Sequence, residues 1–540
     1  MARLQPSRPA VICAHGRDAT GAVAYEQLSF GELEAVSNRL ALALAGAGIQ
    51  RGMRAALMVP PSLDFFTLTF ALFKAGVVPV LIDPGIGVRN LSGCLAHAKP
   101  EAFIGIPKAH AARVLLGWAR ASVRINVTVG TRWFWGGHTL NDLRERTPGG
   151  QPFTAIEPSP DETAAILFTS GSTGAPKGAV YTHEIFGAQV GHIRLLYGIE
   201  PGEMDLATFP LFALFGPALG MTAVVPEMDA SRPASADPAN IVGAIHKFGI
   251  TNMFGSPALI NRVGRYGEAQ GITLPTLRRA ISAGAPVSAR VIERFAAMLP
   301  QGAQVFTPYG ATECLPVASI GSDEILGETR HRTDEGAGVC VGTPVPGLQA
   351  RIIRISDEPI GRWDDALEVP NGEIGEIAVK ATHASRSYFN LPAATVLAKI
   401  QDGASDGFYH RMGDVGYVDP RGRLWFCGRK AHRVVTPQGT RFTIPCEGVF
   451  NRSPRVLRTA LVGVQRNGAI EPVLCVELEP GARGDSQQAI RAELLELGSR
   501  HELTRQIETI LFHPSFPVDV RHNAKIFREK LAVWAARQLQ

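Results

Sequence analysis

At 540 residues the chain is too long for one ordinary hydrophobic core and calls for at least two domains. A hydrophobic content of 45% against 19% charged residues describes a globular protein and excludes a disordered one. The net charge of only +5 gives no support to nucleic-acid binding, which requires clustered Lys and Arg with aromatics between them.

The N-terminal MARLQPSRPA lacks the apolar core of a secretion signal. Ser29 to Glu32 fits a capping box before a helix that carries Leu33, Val36, Leu40 and Leu44 on one face and stops at Gly46 and Gly48. A short apolar strand follows at Ala55 to Val59, then a helix from Ser62 through Phe73, then a strand from Val77 to Ile82. Such alternation predicts an α/β fold with a largely parallel sheet covered by helices. The glycine runs AGAGIQRG (Ala45 to Gly52) and GAGVCVG (Gly336 to Gly342) have the wrong spacing and context for a dinucleotide fingerprint. Seven scattered cysteines, odd in number and without a C-x-x-C pair, fit a reducing, cytoplasmic setting and suggest neither a disulfide framework nor a zinc site.

Thr163 to Phe168 (TAAILF) has the length and bounds of a buried strand, and it runs into FTSGSTGAPKG, Phe168 to Gly178. Three glycines, four hydroxyl residues and Lys177 make this a flexible strand-to-helix connection whose backbone N–H groups can converge on phosphate oxygens. It is not a Walker A loop, because no Gly-Lys-Ser/Thr closes the frame.

This run resembles the phosphate loop of the AMP-forming adenylating superfamily, which includes acyl-CoA synthetases, peptide-synthetase adenylation domains and firefly luciferases. The resemblance extends to later blocks. SAGAPV (Ser282 to Val287) offers the small residues Gly284, Ala285 and Pro286 to a flat purine ring. TPYGATE (Thr307 to Glu313) supplies Tyr309 as an aromatic face, Gly310 and Ala311 beside it, the Thr312 hydroxyl, and Glu313 as a natural ligand for Mg²⁺. In HRMGDVGYVDPRGRLWFCGRK (His410 to Lys430), Asp414 can accept from both ribose hydroxyls and Arg429 can bridge ribose and phosphate. By the same resemblance Thr169, Ser170, Gly171, Ser172, Thr173, Gly174 and Lys177 cradle ATP, and Thr169 joins Glu313 at the metal.

Leu206 to Pro226 carries no charge over a length that could span a bilayer. Pro210, Gly216, Pro217 and Gly220 interrupt it, so it reads as buried core and pocket wall rather than a transmembrane segment. Phe209, Phe212, Ala213 and Phe215 from this stretch, with Phe254 and Gly255, form the expected acyl pocket, whose aromatics favour a long apolar substrate. Many CoA-forming relatives place a His at the position of Ala213.

Texture changes at Arg429, which divides an N-terminal adenylating domain (1–428) from a C-terminal α+β lid (429–540). Strands are expected at Leu461 to Val464 and Val473 to Leu478, and helices near Gln487 to Leu497 and Ile526 to Leu539. The entry HRVVTPQGTRF reads as a hinge, and the usual Asp or Lys hinge position is Ala431. FPVDVRHNAKIFREKL (Phe516 to Leu531) puts Lys525 in the place of the superfamily's catalytic lysine, although relatives usually read Ser-Gly-Lys where this chain has Asn523-Ala524-Lys525.

No G-x-S-x-G elbow or H-E-x-x-H is present, and His183 reads as structural. The chemistry implied is carboxylate attack on the α-phosphate of ATP, with Lys525, Lys177 and Glu313 opposing the charge. Longer blocks, among them PLFALFGPALG, FGSPALI and TPYGATECLPVA, look very like the olefin-biosynthesis β-lactone synthetases. That implies a 2-alkyl-3-hydroxy fatty acid whose own 3-hydroxyl expels AMP, and partners among thiolase-like, reductase and β-lactone decarboxylating enzymes. A long-chain fatty acyl-CoA ligase, a fatty acyl-AMP ligase and an inactive nucleotide-binding scaffold remain open as alternatives.

Overall fold

The computed structural model of the chain describes residues 1–168, 176–466, 468–519 and 525–540. Local chemistry sets the first elements. Ser29 Oγ accepts from the Glu32 amide and the Glu32 carboxylate accepts from the Ser29 amide, closing the expected capping box at the head of helix Phe30–Gly46. Ser62 caps helix Leu63–Lys74 through one bond, its side chain accepting from the Phe65 amide. Both helices bury their apolar faces, including Leu40, Leu44, Phe66 and Leu68, in one core. Removing each such side chain from water contributes about 2 kcal/mol.

These helices pack with a seven-stranded sheet in which Arg54–Met58, Val78–Ile82 and Thr163–Phe168 are central and parallel. The last strand, Gly178–Thr182, runs antiparallel to Thr163–Phe168, with Phe168 opposite Gly178. The phosphate loop therefore joins two strands of a hairpin. The expected strand-to-helix connection is corrected: helix His183–Tyr197 begins only after that second strand, capped by Thr182.

A second sheet of fourteen strands is mixed. One half is parallel, from Pro9–Arg17 through Met204–Ala207, Asn252–Phe254 and Arg279–Ile281 to Gln304–Ala311. The other half is antiparallel and contains Cys314–Gly321, Leu424–Arg429, Phe408–Val418 and Gly375–Lys380. The uncharged stretch 206–226 breaks into a strand end, short helices Pro210–Ala213 and Phe215–Leu219, and strand Thr222–Val225. Among the described residues no helix is long and apolar enough to cross a membrane.

Beyond Arg429 no described strand joins either large sheet. The segment expected as a hinge contains a small hairpin, Val434–Thr436 with Gly439–Arg441, because Gly439 supplies the left-handed turn residue (φ +124°). Strands Val456–Arg466, Ala469–Leu478 and Thr509–Phe512 form a separate sheet. Helices Thr443–Asn451 and Gln487–Ser499 pack on it around Phe450, Leu461, Leu474 and Ile490.

Glu447 and Arg528 hold that unit together from inside. Both Glu447 oxygens accept from Arg528 at 2.7 Å, and Oε1 also accepts from the Leu461 amide at 2.8 Å. Burial pushes the Glu447 carboxyl up, and Arg528 opposes that rise. Replacing Glu447 with Ala strands a buried guanidinium. The expected loss is about 3 kcal/mol or more, read as a lower denaturant midpoint for unfolding.

His110, fully buried on helix Pro107–Leu115, is held neutral by burial, its pKa lowered to about 4. As pH falls, the unfolded chain takes up this proton first, near the ordinary 6.5. Its contribution is whole above pH 6.5 and is lost toward pH 4, about 3 kcal/mol at most. Unfolding titrations of wild type and His110→Phe should differ in slope across that window and run parallel above it.

Candidate active site

One cavity of about 1670 Å³ collects side chains from both large sheets and from the C-terminal unit. Lys177, Glu313, Asp414, Arg429 and Lys525 all border it. Thr169, Ser170, Gly171, Ser172, Thr173 and Gly174 lie outside the described residues. Pro176 and Lys177, at the end of that loop, face the cavity.

Asp414 is a buried charge of the site. It sits on strand Phe408–Val418, paired in register with Arg429 on strand Leu424–Arg429, and is 2% exposed. Tyr309, from strand Gln304–Ala311, donates its hydroxyl to Oδ2 at 2.7 Å. Arg429 Nη1 lies 2.9 Å from Oδ1, but off the line of a hydrogen bond. Oδ1 therefore has no donor among the described residues. Burial raises the Asp414 carboxyl, while Arg429 and the Tyr309 hydroxyl draw it back down. Such an oxygen, buried and short of a donor, suits a hydroxyl-bearing ligand.

Neighbouring charges brace this pair. Glu376, 1% exposed, binds Arg411 at 2.7 Å and Lys430 at 3.2 Å. Both strand partners of Asp414 and Arg429 are thereby tied to strand Gly375–Lys380.

Glu313 occupies the turn between strands Gln304–Ala311 and Cys314–Gly321. Tyr388 donates to its Oε1 at 2.6 Å, and the Ser385 amide donates to its carbonyl at 2.7 Å. Tyr181 donates to the Thr312 carbonyl at 2.5 Å. Gly310 is required here, since a Cβ would meet the Cys314 carbonyl at 2.8 Å. Lys177 Nζ stands 5.1 Å from the Tyr388 ring centre, so the lysine lies over the aromatic face of the carboxylate's own partner. Burial, with Glu313 beside it, raises the Tyr388 hydroxyl and keeps it a donor.

The small-residue segment lies where expected. Gly284, Ala285 and Pro286 line the cavity after strand Arg279–Ile281, and Gly284 takes a left-handed φ of +102°. Ser282 Oγ is buried without a partner among the described residues. Gly310, Ala311 and Thr312 also border the space. Lys525 reaches it from the C-terminal unit. Its backbone pairs with Asp519 through N–H to Oδ1 at 3.2 Å and through its carbonyl to the Asp519 amide at 3.0 Å.

The other end of the cavity is apolar. Phe212 stacks on Phe254 with ring centres 4.4 Å apart, and Phe209 lies 5.2 Å from Phe212. Phe209, Phe212, Phe215 and Phe254 line the wall. Ala213 and Gly255 stand behind it: Ala213 is fully buried in the helix core, and a Cβ on Gly255 would touch Ile260 at 3.1 Å. Phe70, Phe73 and Phe186 complete the apolar end without having been indicated by the sequence. Tyr388 was missed too. Its only signal is a polar-aromatic turn, SRSYFN, far from Glu313 in the chain.

His183 borders the cavity beside Phe73, with ring centres 6.4 Å apart, and burial lowers its pKa. Among the described residues no cluster of three metal-binding side chains occurs. All seven cysteines are buried and free.

Comparison with known proteins agrees with this arrangement. Residues 1–389 match the AMP-binding enzyme family. The whole chain is 51% identical to the olefin beta-lactone synthetase of Xanthomonas campestris pv. campestris, covering 96% of that protein. It is 51% identical to the olefin beta-lactone synthetase of Stenotrophomonas maltophilia, covering 97% of it. Among solved structures, the amide bond synthetase McbA of Marinactinospora thermotolerans superposes with a TM-score of 0.80 at 24% identity, over 98% of this chain and 97% of that one, and so shares the fold. The chain belongs to the AMP-binding enzyme family.

Proposed function

We propose that the chain uses ATP to adenylate a 2-alkyl-3-hydroxy fatty acid and then closes the acyl adenylate into a β-lactone, releasing pyrophosphate and AMP. The observation that carries this reading is the 51% identity, along the full chain, to two proteins named olefin beta-lactone synthetase. The cavity supports it, joining a cationic end to an aromatic one.

In the first step a carboxylate oxygen attacks the α-phosphorus, and the bond to the bridging oxygen of pyrophosphate breaks. An anion approaches a polyanion, so the barrier is electrostatic. Lys525 meets the carboxylate and α-phosphate. Lys177 and the amides of residues 169–174 hold the outer phosphates. Asp414 Oδ1 accepts from ribose, Arg429 spans ribose and phosphate, and Gly284, Ala285, Pro286 and Tyr309 flank the base. Residues 1–428 then act as the body of the enzyme and 429–540 as its lid.

Glu313 fits Mg²⁺ as a single positioned carboxylate, since this ion is held by one or two carboxylates and substrate phosphates rather than by an all-protein cage. Thr169 would share that role. Bound there, the ion would supply charge neutralisation on the phosphates.

In the second step the substrate's 3-hydroxyl oxygen attacks its own acyl carbon, the bond to AMP breaks, and the hydroxyl proton leaves with the phosphate or to water. Holding both groups in one apolar wall makes this intramolecular, and the phenylalanines keep water from the adenylate. No protein nucleophile is needed. Ala213, where CoA-forming relatives often carry His, is buried behind the wall. The resemblance implies thiolase-like, reductase and β-lactone decarboxylating enzymes as pathway partners.

Lys525→Ala should slow adenylation about 10²-fold, and pyrophosphate release within a few-fold of wild type would remove Lys525 from the step. Product mass decides the rest. With ATP, Mg²⁺ and a 2-alkyl-3-hydroxy acid, a lactone should form equally with and without CoA. A thioester as the product would make the enzyme an acyl-CoA ligase.

A further inference from the structure

The nucleotide end of the cavity holds more hydrogen-bonding capacity than the chain itself uses. Among the described residues that border it, the buried side-chain atoms without a partner are Ser282 Oγ, Asp414 Oδ1, His432 Nε2 and Arg528 Nε. Ser282 precedes the small-residue segment Gly284 to Pro286 that flanks the base. Asp414 and His432 stand on either side of Arg429. The guanidinium lies 2.9 Å from Asp414 Oδ1, and Arg429 is the residue that opens the 3-10 turn Lys430–His432. In such a turn side chains three residues apart lie on one side, and those of Arg429 and His432 both border the cavity.

The turn is held in place from both ends, by Lys430 on Glu376 and by Arg433 on Asp357. His432 is partly exposed as a residue, but its Nε2 is buried. Burial, then the Arg528 and Arg429 charges, lower its pKa to about 4, so the ring is neutral and offers no cation to a phosphate. A buried polar atom left without a partner is costly. A ligand hydroxyl removes that cost with either ring nitrogen protonated, because a hydroxyl both donates and accepts.

The nucleotide brings two such groups. With Tyr309 on Oδ2 at 2.7 Å and Arg429 against Oδ1, Asp414 has one oxygen left without a donor, while a ribose carries two neighbouring hydroxyls. We infer that His432 is a ribose-binding residue, its Nε2 engaging one hydroxyl of the nucleotide while Asp414 Oδ1 accepts from the other. This divides between two residues what the sequence assigned to Asp414 alone. The inference rests on the adenylation step proposed above and not on lactone closure.

The test measures pyrophosphate release by the full chain from ATP, 2′-deoxy-ATP and 3′-deoxy-ATP, with a single hydroxy acid throughout. Wild type should lose about tenfold in kcat/KM with each deoxynucleotide, the scale of one hydrogen bond to a buried partner. His432→Phe should lose about tenfold with ATP. It should then lose nothing further with one of the two deoxynucleotides and keep the full wild-type loss with the other. His432→Asn, which keeps a polar atom near Nδ1 but has none at Nε2, should behave as Phe does, and His432→Gln should recover part of the loss. All three variants should keep the wild-type melting temperature and KM for the acid. Variants that kept the wild-type loss with both deoxynucleotides, or a wild type indifferent to both, would overturn the inference and leave Nε2 to water. No pyrophosphate from ATP with any acid would overturn the adenylation step, and this inference with it.

Discussion

A carboxylate cannot stay charged in a dry interior unless something holds it, and the centre of this molecule is arranged around that constraint at Asp414. Tyr309 and Arg429 reach it from two other strands, and burial alone would push its proton back on. Because Asp414 and Arg429 face each other across a strand ladder, their separation is fixed by backbone register rather than by loop conformation. The Glu376, Arg411 and Lys430 network fixes the same two strands from behind. A site that must receive a highly charged nucleotide is therefore set before the nucleotide arrives, which spares the cost of reorganising dipoles during reaction.

The rest of the cavity follows from placing opposite requirements side by side. The end with Lys177, Arg429 and Lys525 favours phosphate, and the end lined by Phe209, Phe212, Phe215 and Phe254 favours alkyl chain. Glu313 borders the same cavity, its carboxylate held by Tyr388 and its backbone by Ser385. An acyl phosphate formed there is reactive toward water. In the proposed reaction, an aromatic wall and a nucleophile already carried by the substrate give it a faster route than hydrolysis.

Much of this was legible because it rests on local rules. The Ser29 and Glu32 capping box, the Ser62 cap and the β-α-β alternation each follow from side-chain to backbone chemistry within a few residues. The blocks around Tyr309, Glu313, Asp414 and Arg429 carry recognisable residue types at fixed spacing. The hairpin after the phosphate loop was not legible, since a short strand such as Gly178–Thr182 differs from a helix entry only in its tertiary partner. Tyr388, Phe70, Phe73 and Phe186 were hidden for a related reason. Each projects into the cavity from an element whose sequence records only that it is amphipathic or turn-like, and only sheet order brings it there.

Lys525 poses the remaining question, how a residue from outside the large sheets can serve a site built on them. Its unit has its own core, and the Glu447–Arg528 pair anchors the helix that follows it, so the lysine travels with that core. Two ion pairs tie this unit to helices of the larger body, Arg265 and Arg290 to Glu479; they involve half-exposed arginines, and pairs of that kind contribute at most about 1 kcal/mol. Lys430 and Arg433, by contrast, are clasped to the body through Glu376 and Asp357. Packing adds to these pairs at the face itself, where a Cβ on Gly448 would meet the Thr333 carbonyl at 2.4 Å and one on Gly336 would meet Leu503 at 2.8 Å.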